Sequence, residues 1–299
     1  MINVDYICVL WLLLVMGNAT AFSVNYPKVF GSDWTDAERY VIEHHEAWKK
    51  EFDVFGVDAR LAEAIVFPEL IRYSRWKDEI EKVAVNGLYV KKGSDGADFS
   101  VGRFQMKPSF AEKVERTWNS SPLAQEYGFS FNIADNVEAR RSRVLRLGTE
   151  EGQCRYLAIF IRLQELRLPQ LAKVSRKQKV RLLATAYNRS FSASWLSLCQ
   201  IQYERHFHTD VIKTRSTQLY CYADIAESFF KKCSNPNTNL AEALCLSYFS
   251  ELYTLTYPSP NPNIFNSVVV FQNKVTIWLL LIAYEKLVAC LCRKFFLVY

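Results

Sequence analysis

The chain is poor in the residues that build metal and redox sites. It has only four histidines and three methionines, and no pair among its eight cysteines has Cys-x-x-Cys spacing. Cys290 and Cys292 stand two apart with no histidine near them, which argues against a structural zinc site. His206 and His208 would share a face only on a strand, and no third ligand is evident beside them. Neither spacing points to a metal site. Clusters of basic residues interleaved with aromatics are also missing, so nucleic acid is not an expected partner. The basic runs RRSRVLR (Arg140 to Arg146) and SRKQKVR (Ser175 to Arg181) lie in helix-like sequence and read as solvated helix faces. There is no internal repeat and no low-complexity segment. Strand-like alternation is sparse, with Gly87 to Lys91 as one edge of a short hairpin.

What the chain does have is apolar and aromatic mass. Half of its 299 residues are hydrophobic and 14% are aromatic, ample for a packed core and unlike a disordered chain. The net charge of +6 would draw it toward anionic polymers or surfaces. The apolar stretch Ile7–Gly17 is too short for a membrane span, which takes about 20 residues. Ala19-Thr20-Ala21 follows it with the small-x-small pattern of a signal peptidase site, although Asp5 stands where a basic residue is usual. A signal peptide over 1–21 is the expectation, placing the protein in a periplasm or cell envelope. Export permits disulfides, but losing Cys8 leaves an odd number of cysteines and so at least one free thiol.

Helical periodicity dominates 22–232. Thr35–Asp53 reads as a helix capped by Asp33 or Thr35, and Asp58–Ile71 as a second, capped by Asp58 and kinked or ended near Pro68. Lys91–Ser100 is a polar loop. Further helical stretches are Pro108–Thr117, Ala134–Leu147, Gln153–Leu166, Arg176–Tyr187 and Thr217–Phe230. Residues 233–299 differ. Turn-rich segments lead into VTIWLLLIAY (Val275 to Tyr284), which charges then break. This appendage reads as a small core helix, as an interfacial helix making peripheral membrane contact, or as a tail without settled structure.

Three segments carry chemistry. Glu69 lies in AEAIVFPELIRYS among apolar neighbours, where desolvation would keep a carboxyl protonated near neutral pH. Its bland alternative is a surface glutamate paired with Arg72. ADFSVGRFQMKP (Ala97 to Pro108) places Gly102, Phe104 and Gln105 in a turn before a helix. LLATAYNRS (Leu182 to Ser190) puts Tyr187 and Asn188 near a helix end, where Asn188 could equally be a cap.

In this order the segments resemble the SLT-type lytic transglycosylases, lysozyme-like enzymes that cut peptidoglycan. Glu69 falls at the glutamate of the family's Glu-Ser motif. Gly102-Arg103-Phe104-Gln105, with Pro108 three residues on, is similar to its Gly-Leu-Met-Gln motif. Ala186-Tyr187-Asn188-Arg189-Ser190 is similar to Ala-Tyr-Asn-x-Gly, and Thr217 to Cys221 faintly echoes a fourth motif through Tyr220. The chain departs from the family at Leu70, where the serine stands, so Ser74 or Tyr73 would have to replace it. It departs again at Arg103, Phe104 and Ser190.

The resemblance implies a mainly α, lysozyme-like fold of the α+β superfamily with minimal strand, plus the small C-terminal appendage. It implies Glu69 as the single acid and base. Ser74, Gly102, Phe104, Gln105, Tyr187, Asn188 and Tyr220 would contact the peptidoglycan glycan strand. The product would be a 1,6-anhydro sugar, and neither a metal nor an organic cofactor would be required. A hydrolytic muramidase would need a second carboxylate, for which Asp78, Glu79, Asp95 and Asp98 are candidates. A non-catalytic peptidoglycan-binding envelope protein is the remaining alternative.

Overall fold

The structure, a computed structural model, describes residues 24–74, 85–96, 98–210 and 213–234. The expected signal peptide, the appendage and the candidate carboxylates Asp78 and Glu79 lie outside these residues. The described part is mainly helical. Its helices are α1 (Tyr26–Phe30), α2 (Ser32–Val54), α3 (Ala59–Ser74), α4 (Pro108–Asn119), α5 (Pro122–Glu126), α6 (Val137–Leu147), α7 (Glu150–Arg167), α8 (Arg176–Arg189), α9 (Trp195–Ile201) and α10 (Tyr222–Cys233). One small antiparallel pair, β1 (Arg205–Phe207) and β2 (Tyr220–Cys221), precedes α10. No described helix is long and apolar enough to cross a membrane.

The centre of the fold is α3. Asp58 starts it, its Oδ1 accepting the Leu61 N–H at 3.2 Å. From Leu61 to Ile71 every residue is buried, because α2, α8 and α10 all pack around it. A helix apolar all round belongs inside a core, and this segment is one, apart from two glutamates. Phe67 stacks on Phe229 of α10 with ring centroids 3.8 Å apart, and Trp34 of α2 meets Phe67 edge-on. Of the two acids, Glu63 pairs with His45 of α2 at 2.6 Å. The other is Glu69.

Pro68 does not end α3, which continues to Ser74. Proline lacks the N–H that would bond Ala64, and its ring crowds the preceding turn. In that loosened turn the Ile65 carbonyl accepts the Tyr222 hydroxyl at 3.0 Å. Packing on three sides offsets the cost of the proline.

Several expectations are corrected. Gly87–Lys91 forms no hairpin edge. It is helical, a π-turn over Val85–Tyr89 running into Val90–Lys92. The Tyr89 hydroxyl draws it inward by donating to Glu112 at 2.7 Å. The RRSRVLR run is not a solvated face, since Arg140 and Arg143 are buried. Arg143 bonds Glu115 through Nε at 2.8 Å and Nη2 at 2.6 Å, and Arg140 Nε donates to the Val90 carbonyl at 3.0 Å. Arg181 of the second run is buried likewise, between Asp224 and Glu227.

Neither Asp33 nor Thr35 caps α2, whose N-cap is Gly31. Asn188 is no C-cap, because α8 runs to Arg189. The stretch from Thr217 becomes a strand before it becomes a helix. His206 lies on β1 and meets Glu204 at 3.0 Å, while His208 Nδ1 contacts the Asp210 carbonyl. No described group of three His, Cys, Asp or Glu could hold a metal. The described cysteines, Cys154, Cys199, Cys221 and Cys233, are free thiols.

Candidate active site

Three elements converge on Glu69: α3 carries it, α8 brings Tyr187 and Asn188, and α10 brings Tyr222. The residue is only 5% exposed. Arg72, one turn along α3, stands 3.8 Å from Oε2. The Asn188 side chain hydrogen-bonds the carboxyl. Oε2 has no hydrogen-bond donor among the described residues. Burial therefore dominates and pushes the carboxyl from its ordinary 4.5 up to about 7, against smaller opposing pulls from Arg72 and Asn188. Burial also raises the Tyr187 and Tyr222 hydroxyls well above the usual phenol range, and the Glu69 charge adds to both. Both tyrosines therefore stay protonated beside it.

The Gly-x-Phe-Gln segment is a tight turn. Val101 and Met106 exchange N–H···O bonds at 2.8 and 3.2 Å, and the Gln105 N–H bonds the Gly102 carbonyl at 3.0 Å. Gly102 takes φ 69°, and Gln105 φ 52°, a left-handed value uncommon for a residue with a side chain. Gln153 of α7 clamps the turn. Its Oε1 accepts the Phe104 N–H and its Nε2 donates to the Leu147 carbonyl, both at 2.8 Å. A Cβ on Gly102 would lie 1.8 Å from Gln153 Nε2. Glycine is needed there to admit this amide, a closer demand than approach to a sugar.

The turn is tied to α8 by one bond, in which the Tyr187 hydroxyl donates to the Phe104 carbonyl at 2.6 Å. The Tyr187 ring meanwhile packs edge-on against Phe110 and Phe160. Thus the segments holding Glu69, Phe104 and Tyr187-Asn188 meet in space. They do not all present the expected groups. The Phe104 ring is fully buried against Trp48, so its backbone, not its ring, serves the site. The Gln105 amide donates to the Gly102 carbonyl at 3.0 Å. Tyr220 packs on Phe30 of α1, at 4.9 Å between centroids. The tyrosine that Glu69 feels is instead Tyr222, two residues on. The side chain of Ser74 lies outside what is described.

Sequence reasoning missed Tyr222 because the start of α10 was read too early. With the helix starting at Tyr222, the spacing of Ile225, Ala226 and Phe229 puts Tyr222 on its buried face. Of the candidate second carboxylates, Asp98 is engaged, accepting the Ser109 N–H at 2.9 Å and the Ser109 hydroxyl at 2.7 Å. Among the described residues, no other carboxylate perturbs the Glu69 carboxyl.

A groove of about 490 Å³ is walled by α2, by Leu70 and by Arg103, and Glu69, Tyr187, Asn188 and Tyr222 are not among its described lining residues. No protein-family model, no curated protein and no solved structure matches the chain. Fold and site stand on their own geometry.

Proposed function

We propose that this chain is a lytic transglycosylase that cleaves the β-1,4 bond between N-acetylmuramic acid and N-acetylglucosamine in peptidoglycan, with Glu69 as its one acid and base. The observation that carries this reading is the buried carboxyl of Glu69, held protonated near neutral pH at the meeting point of the three segments on which the resemblance rests. A general acid works best when its pKa lies near the working pH.

Glu69 gives its proton to the glycosidic oxygen as the C1–O bond breaks. The carbonyl oxygen of the substrate's own 2-acetamido group bonds C1 and takes up the developing positive charge. The Glu69 carboxylate then removes the proton of the C6 hydroxyl. O6 bonds C1, the acetamido oxygen leaves, and Glu69 is protonated again. No water is consumed. Asn188 steadies the carboxylate between the two steps through its hydrogen bond. The exported setting rests on the N-terminal segment, which lies outside the described residues.

Digestion of purified peptidoglycan followed by mass measurement of the products tests the reading. Anhydro ends are lighter by one water than hydrolysed ends, which would mark a muramidase instead. Glu69→Gln should lower the rate by about 10²–10⁴-fold. The wild-type kcat/KM should fall as pH rises through about 7, because the acid form starts the reaction. Equal, null behaviour of wild type and variant would leave a binding protein.

A further inference from the structure

A second pocket lies between the C-terminal end of α8, β1 and the start of α10. It measures about 10 Å³, and Asn188, Arg189, Glu204, His206 and Tyr222 are among its walls. Small-molecule pockets run to about 300 Å³ or more, so no sugar ring enters this one. A volume of about 10 Å³ suits one water, given roughly two to four polar partners. Asn188, Glu204 and His206 are there to supply them.

Two of these walls also belong to the surroundings of the acid. Asn188 hydrogen-bonds the Glu69 carboxyl, and Tyr222 feels its charge. Two others make a base. Glu204 Oε2 accepts from the Arg189 guanidinium at 3.2 Å, which ties it to α8, and meets His206 Nε2 at 3.0 Å. A carboxylate only accepts, so the neutral imidazole donates from Nε2 and keeps its lone pair on Nδ1. Among the described residues that Nδ1 has no hydrogen-bond partner. A carboxylate that fixes the tautomer of a histidine is the arrangement of a general base.

We infer that this pocket holds a water for which His206 is the general base, and that the chain hydrolyses a share of the glycosidic bonds it opens. The inference rests on the reading above and goes beyond it, because the same acetamido-bonded intermediate then has two fates. In the second, the water oxygen bonds C1 from the face that the leaving oxygen vacated, which is the face Glu69 serves. The acetamido oxygen leaves C1, and the water's proton passes to His206 Nδ1. From there it returns through solvent to the Glu69 carboxylate, which gave its own proton to the leaving sugar. One water is consumed, and the new end keeps the β configuration. Proximity favours the internal C6 hydroxyl over free water. A water competes only when it is held in place with a base beside it.

Digestion of glycan strands in ¹⁸O-labelled water, with mass measurement of the ends, tests this. The wild type should yield anhydro ends together with hydrolysed ends that carry the label. His206→Gln should lower the ratio of hydrolysed to anhydro ends by about 10²-fold. Both ends come from one intermediate, so the ratio does not depend on how much of the variant folds. Glu204→Gln, which loosens the hold on the imidazole, should lower the ratio by less. Anhydro ends alone from the wild type would overturn the inference and leave the transglycosylase reading standing. A ratio that survives His206→Gln would overturn it too, since Glu69 would then be taking the water's proton itself. Labelled ends alone, lost with His206→Gln, would uphold the water route and remove the transglycosylase reading instead.

Discussion

Glu69 and Glu115 are both carboxylates inside the same helical core, and they are treated in opposite ways. Glu115 on α4 is fully buried, yet each of its oxygens is engaged. Arg143 donates twice to Oε2, while Arg146, at 2.7 Å, and the Tyr156 hydroxyl donate to Oε1. Tyr89 and Glu112 extend the network around Arg143. Glu69 is nearly as buried, but it has one amide, an arginine at 3.8 Å and an oxygen without a donor. Burial alone says little about a carboxyl's role. What decides is whether the surroundings satisfy its charge. Satisfied, it joins α4, α6 and α7 as a structural knot. Left short, it holds its proton near neutral pH and can give it away.

Breaking the satisfied site should have the largest effect on stability. Glu115→Gln leaves buried Arg143 with Glu112, at 3.4 Å, as its remaining carboxylate, and the protein should lose about 3 kcal/mol in denaturant titration. A loss below about 1 kcal/mol would mean that the network is not a structural knot.

The under-satisfied site should respond with the opposite sign. The Glu69 carboxyl titrates at about 7 in the folded chain against an ordinary 4.5. With a raised folded pKa, its favourable contribution is complete below 4.5 and is lost as pH rises through 7. Glu69→Gln should therefore gain on the wild type by about 3 kcal/mol between pH 4 and pH 8. Parallel stability curves for the two proteins across that range would show Glu69 to be unperturbed.

The smallest change sharpens the contrast within the site. Asn188→Ala removes the hydrogen bond that favours the charged form. The alkaline limb of the pH–rate profile should then move to higher pH by about one unit. A limb that stays put would remove Asn188 from the acid's surroundings.

Much of this contrast could be read in the chain beforehand, but only on one side. Glu69 was visible because its neighbours Phe67, Pro68, Leu70 and Ile71 are apolar and close in sequence, and local pattern reports local burial. The Asp58 cap was visible for the same reason, since a cap acts over three residues. Glu115 gave no such signal. Its partners Arg143, Arg146 and Tyr156 come from two later helices, and in sequence those arginines look like solvent-facing charge.

The same blindness explains Gly87–Lys91, where a strand-like run becomes helical because Tyr89 is anchored to α4 and α6. It explains β1 and β2 too, whose few residues are extended because they pair with each other. Within the site, sequence order placed Tyr187 and Asn188 beside Glu69. It could not tell that Phe104 would turn its ring inward, or that Tyr222 rather than Tyr220 would face the acid. Those outcomes depend on which side of an element meets the core, and a misplaced helix start shifts that.

The position of α3 has a consequence for durability. From Leu61 to Ile71 it is enclosed by α2, α8 and α10, so the amides of that stretch should exchange with solvent only when the whole described body opens. A proton donor mounted on such a helix cannot be mispositioned by the breathing of a loop. Its aim should persist until the protein melts, and then vanish together with the fold.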